Sequence, residues 1–156
     1  MKVMPTLEGG LRIDIESSSD WLVLEQIPSD AVEEKRFSLP EELADLMDDG
    51  AEWDDLVVPE LADLFTGQVD HVAEAVARAS ENGDGESGEL FILSDDAGDW
   101  YGALNQARLA LESRWGFSGD EEGDSLAGAP PQKRSAFIRS QFYLVLQGLL
   151  LDYAMD

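Results

Sequence analysis

A chain of 156 residues with 44% apolar content is sized for one domain, burying roughly two-thirds of its unfolded surface around one core. Thirty-four acids against ten bases leave a formal charge of −24. That field repels phosphate backbones and anionic membrane surfaces, so no nucleic acid and no membrane is expected as a partner, and a basic protein partner is favoured. Without cysteine there is no disulfide, thiolate nucleophile or cysteine-held metal.

The first segment, KVMPTLEGGLRIDIES, reads as a β-hairpin, because Leu11, Ile13 and Ile15 alternate with Arg12, Asp14 and Glu16. A Gly9-Gly10 turn would set Thr6 and Glu8 on the apolar face. A three-residue Glu8-Gly9-Gly10 loop instead sets Val3, Pro5 and Leu7 there, and apolar matching favours it, with a glycine in the left-handed position. SSDWLVLEQI opens on serines fit to cap a helix that ends before Pro28. SLPEELADLMDD offers Ser38 and Glu41 as a capping box, with Pro40 in the first turn.

A long helix is predicted from Pro59 to near Gly83, with a stripe of Leu61, Leu64, Phe65, Val72, Ala75, Val76 and Ala79. Gln68 falls on that stripe and should be hydrogen-bonded inside. GELFIL supplies a third strand, Glu89–Leu93. SDDAGDWYGALNQARLALESRWG reads as a helix with Ser94 as N-cap, aspartates in or near its first turn and Gly116 as its stop. The last helix runs from about Ser135 to Tyr153, where Gly148 would permit close packing. Mobile loops are expected at 82–88 and 118–134, both acidic and rich in glycine. FYLVLQGLLL is about half a membrane span and holds Gln147, so it reads as core. MKVMPTLEGG lacks an apolar signal region, and a cytoplasmic location is the expectation. Together these elements predict one α+β domain over 1–156, predominantly helical, in which the N-terminal hairpin and a third short strand form a small antiparallel sheet.

Motifs for chemistry are weak. GDGESG, 83–88, matches a dinucleotide fingerprint in letters only: a helix precedes it, a strand follows, and Asp84 and Glu86 would repel pyrophosphate. The acidic loops lack the glycine and glutamate positions of a calcium loop. His71 is the single histidine, which excludes histidine-clustered metal sites, and it reads as a helix-surface residue. No Gly-x-Ser-x-Gly elbow accompanies it. No cofactor or metal is therefore expected. From Phe37 to Ala77 there are twelve acids and no Lys or Arg, a solvated acidic surface or a docking face for a basic partner.

The Trp100–Phe117 segment is the informative one. Leu104, Arg108, Leu111 and Trp115 share one stripe, Ala103, Ala107 and Ala110 a second, and Asn105 and Gln106 lie on further sides. A helix without one broad polar face is either surrounded or meets a partner. A buried Arg108 needs a carboxylate, while Arg114 near the helix end is the more open case. Arg139, Gln141 and Gln147 interrupt the final helix in the same way. The candidate interaction surface or buried polar network is thus Trp100, Tyr101, Asn105, Gln106, Arg108, Arg114, Arg139, Gln141 and Gln147.

Three blocks, LEGGLRIDIES, WYGALNQARLAL and RSAFIRSQFYLVLQGLLL, resemble an uncharacterised bacterial family, domain of unknown function 2017, found largely in actinobacteria. The family has no established activity and supplies no catalytic residue. Its members are often encoded beside the adaptor that delivers N-degron substrates to the Clp protease, which implies a link to regulated proteolysis. The expected function is a non-enzymatic interaction or regulatory protein docking through the Trp100–Phe117 and Phe137–Tyr153 surfaces. An acidic nucleic-acid mimic, or sink for a basic protein, is the alternative, and an enzyme with carboxylate chemistry a third.

Overall fold

The computed structural model describes residues 1–32, 58–117 and 128–155. The proposed Ser38–Glu41 capping box and the 118–127 part of the expected loop lie outside the described residues.

Strands β1 (Lys2–Pro5) and β2 (Leu11–Ile15) form the expected hairpin, with Val3 opposite Ile13 and Pro5 opposite Leu11. Its turn is displaced from the expected place. Thr6 N–H donates to Gly10 O at 2.9 Å, so the loop is Leu7-Glu8-Gly9 and Leu7 stands fully exposed at the tip. The two glycines have different tasks. Gly9 takes the left-handed conformation, φ 89°, while a Cβ on Gly10 would collide with the Ile92 carbonyl of the neighbouring strand. Strand β3 (Gly88–Ile92) pairs antiparallel on the other side of β2, with Ile13 opposite Leu90, giving the order β1-β2-β3. It begins one residue before the expected start, and Leu93 is left exposed beyond it.

The sheet turns Leu11, Ile13, Ile15, Leu90 and Ile92 into the core. Its other face carries Arg12, which bonds Asp14 at 2.7 Å and Glu89 at 3.0 Å across the strands. Helix α1 (Ser18–Val32) does not stop before Pro28 but runs through it. One helix hydrogen bond is lost there. Ile27 and Asp30 are buried on either side of the proline, so tertiary contacts hold the last turn in place.

Helix α2 (Val58–Asn82) buries Val69, Val72 and Val76, whereas Leu64, expected on the stripe, lies off that line and is exposed. The Asn82–Gly88 connection is closed by Asp84, whose carboxylate accepts from the N–H groups of Ser87 (2.8 Å) and Glu86 (3.0 Å). Those donors, with the Ser87 hydroxyl, hold the Asp84 carboxyl below its ordinary range. Gly88 is required because a Cβ there would meet the Trp21 ring.

Helix α3 (Ala97–Trp115) is preceded by a 3₁₀ turn, Ser94–Asp96, so Ser94 is not its N-cap and no side chain caps it. Gly116 ends it as expected, at φ 61°, with its N–H on Glu112 O. Helix α4 (Pro131–Tyr153) starts earlier than expected, because Pro131 is pre-set for a first helical turn; residues 131–134 belong to it rather than to a loop. Helix α3 occupies the centre, packed against α1, α2 and α4. Trp100, Ala103, Leu104, Ala107, Ala110 and Leu111 are all buried, and the alanines let its neighbours approach. The architecture is thus α+β and predominantly helical, with an antiparallel three-stranded sheet at one side. Among the described residues no helix is long and apolar enough to cross a membrane.

Candidate functional site

The polar residues singled out in α3 and α4 divide into internal ties and exposed groups. The strongest tie lies where α1 meets α4. Asp30, fully buried in its side chain, receives Arg139 Nε at 2.8 Å and Nη2 at 2.9 Å, a bidentate pair, and the Tyr143 hydroxyl at 2.6 Å. Arg139 Nη1 also donates to Ser135 Oγ at 2.8 Å. The Asp30 hydrogen bond raises the Arg139 pKa. Burial, reinforced by the Asp30 carboxylate, pushes the Tyr143 phenol far above its ordinary value, so its proton stays on the donor side of this contact.

A second tie joins α3 to α4. Arg108 Nη1 donates to Gln147 Oε1 at 2.6 Å, and Gln147 Nε2 donates to Tyr101 O at 3.4 Å. The expected carboxylate is replaced by an amide, which leaves Arg108 Nε buried without an acceptor. Gln147 suits the place because one side chain supplies both an acceptor to Arg108 and a donor to a backbone carbonyl, which a carboxylate cannot do. A third tie joins α3 to α2: Gln106 Nε2 donates to Phe65 O and to Gln68 Oε1, both at 3.1 Å. Gln68 is hydrogen-bonded inside as its stripe position requires, and Gly102 leaves the space it fills.

The remaining candidates diverge. Trp100 is buried, and Tyr101 and Asn105 are half-buried. Arg114 is exposed, its guanidinium 5.2 Å from the Trp115 ring centre. Gln141 is exposed on α4. Asp30 and Tyr143 were missed in the sequence reading. Their signal was an acid three residues beyond Ile27 on the apolar line of α1, and a tyrosine one turn after Arg139.

Among the described residues a depression of about 390 Å³ lies beside Arg114, Trp115 and Arg139, and two larger ones are lined in part by exposed apolar side chains. Between α2 and β3 lies a cleft of about 480 Å³, lined by His71, Glu74, Arg78, Glu89, Phe91, Leu93 and Asp96 among others. Phe91 and Leu93 are 52% and 58% exposed there. Both ring nitrogens of His71 face carboxylates, Nδ1 to Asp99 at 3.0 Å and Nε2 to Asp96 at 3.5 Å. The other depression, about 690 Å³, lies between α1 and α4 and is lined by Leu22, Val23, Arg134 and Ile138 among others. Among the described residues no group of His, Asp or Glu is arranged to hold a metal ion.

A family model described as a domain of unknown function, DUF2017, matches residues 14–154. The chain belongs to the DUF2017 family. No curated protein and no solved structure matches it. The matched span of this DUF2017 chain contains all three polar ties and the residues lining the depressions, and it leaves out β1, the hairpin turn and the first three residues of β2.

Proposed function

We propose that this DUF2017 chain is a non-enzymatic interaction protein, regulatory in role, that seats a basic and partly apolar segment of a protein partner between α2 and β3. The observation that carries the reading is the pairing of exposed Phe91 and Leu93 with Glu74, Glu89 and Asp96 around one cleft. Apolar side chains of this size left in water beside carboxylates suit a partner that brings aliphatic stems and positive ends together. The net charge of −24 steers such a partner from a distance. The arginines and amides of α3 and α4 support the reading from the other side, since Arg108, Arg139, Gln106 and Gln147 bond within the chain and act as scaffold. A cytoplasmic setting beside Clp-adaptor-associated proteolysis is part of the proposal.

The test is in-cell crosslinking and affinity purification of the tagged protein against Phe91→Ala and Glu74→Gln variants of verified fold. A basic protein recovered with wild type, reduced in both variants and released by salt, is the expected result. Equal recovery from all three, or association indifferent to salt, overturns the proposal. Loss only when the acids between Glu41 and Asp55 are neutralised would favour the nucleic-acid mimic.

A further inference from the structure

Helix α4 has a second face that the other described residues leave exposed. Ile138, Leu144, Val145 and Leu151 are exposed along it, around Gln141 and Gly148, over a length of about 20 Å. In a chain with 34 acids, residues 131–151 contain none, whereas three of the ten bases lie there. Along α4 itself, two copies of so acidic a molecule can therefore approach with no carboxylates from residues 131–151 opposed. The face also reads alike from both ends. Ile138 and Leu151 stand equally far from the midpoint between Leu144 and Val145, and so do Gln141 and Gly148.

We infer that a second copy of this chain covers the outer face of α4, antiparallel, about a two-fold axis passing between Leu144 and Val145. The pairing is isologous, so each contact occurs twice. Ile138 meets Leu151 of the second copy, Leu144 meets its Val145, and Gln141 lies over its Gly148. A Cβ at Gly148 meets nothing within 4 Å in its own chain, so this is open space that a second helix can enter. The antiparallel sense follows from charge. Exposed Arg134 stands at the start of α4 and exposed Asp152 at its end, and only antiparallel helices bring them together. The groove of about 690 Å³ beside Arg134, walled by Leu22 and Ile138, then receives the second copy's Leu151, Asp152 and Tyr153, of which Leu151 and Tyr153 are exposed apolar residues in the single chain. One helix face with two end grooves falls at the small end of specific interfaces, so the dimer forms with rising concentration. This inference concerns a different face from the α2–β3 cleft and does not rest on it.

Sedimentation equilibrium of the full chain, from micromolar to millimolar concentration and across salt, tests the pairing. Wild type should dimerise, more readily at high salt because the repulsion between two copies of charge −24 is screened. Gly148→Glu fills the open space with a better helix former, so it should keep the fold and weaken the dimer by about tenfold or more. Arg134→Glu and Asp152→Arg should each weaken the dimer, and the two together should restore it. Phe91→Ala should leave it unchanged, which separates this inference from the proposed partner cleft. A monomer at millimolar concentration in high salt, a dimer indifferent to Gly148→Glu, or a double charge reversal without recovery overturns it.

Discussion

Replacing Asp30 by alanine removes the shared acceptor of Arg139 and Tyr143. The carboxylate is fully buried, holds Arg139 through two bonds of 2.8 and 2.9 Å, and accepts from Tyr143 at 2.6 Å. Breaking a buried pair from one side costs about 3–5 kcal/mol, because the charge left behind keeps its desolvation without its partner. Arg139 retains 19% of its side-chain exposure and a bond to Ser135, so water and the serine recover part of that loss. The buried Tyr143 hydroxyl, stranded without an acceptor, adds back about 1–3 kcal/mol. The expected destabilisation is therefore about 3 kcal/mol, equivalent to a fall in melting temperature of about 6–12 °C for a domain of this size. Urea unfolding at constant m value gives the number. A double-mutant cycle with Arg139→Met sharpens it, since removing both partners should cost less than the sum of the single changes. A loss below about 1 kcal/mol for Asp30→Ala, or strict additivity in the cycle, would refute the assignment of this cluster as the clasp between α1 and α4.

Other outcomes follow from the same geometry. Gln147→Leu should destabilise by about 1–3 kcal/mol by stranding Arg108, and adding Arg108→Met should recover most of it, both read by urea midpoint. Gly10→Ala should be severe, above about 2 kcal/mol, because its Cβ meets strand backbone at Ile92 that cannot rotate aside; loss of amide-exchange protection in β2 and β3 locates the damage. Tyr143 gives a signature at high pH. Its proton is held in the folded state far above the ordinary value of 10.0, so beyond that pH the unfolded chain binds fewer protons than the folded one. Stability present below pH 10.0 must then decline as pH rises, and Tyr143→Phe should flatten that alkaline slope in pH-dependent unfolding.

Much of the fold was legible because short-range rules govern it. The alternation in LRIDI, the glycine after Trp115 and the helical spacing around Val72 and Val76 each report on a few neighbouring residues. The misplaced boundaries share one cause. Pro28 lies inside α1 because Ile27 and Asp30 are held by distant contacts, and the hairpin turn is displaced because Gly10 is needed against Ile92. Neither contact exists in a local window. Arg108 shows the same limit in chemistry. Its place on an apolar stripe demanded a polar partner, yet only the fold could select an amide thirty-nine residues away over thirty-four available carboxylates.

By itself the sequence determined the class of the molecule, the acidic field around it and the family to which the chain belongs. These depend on composition, periodicity and ordered motifs, which survive in a linear string. Tertiary structure decided which polar side chains turn inward. It bound Arg139 to Asp30 and Tyr143, and Gln106 to Gln68, and it left Phe91, Leu93 and the outer face of α4 in water. Pairing of this kind depends on where remote segments meet in space. A helix periodicity states which residues share a side, while the neighbours packed on that side decide whether it is core or surface.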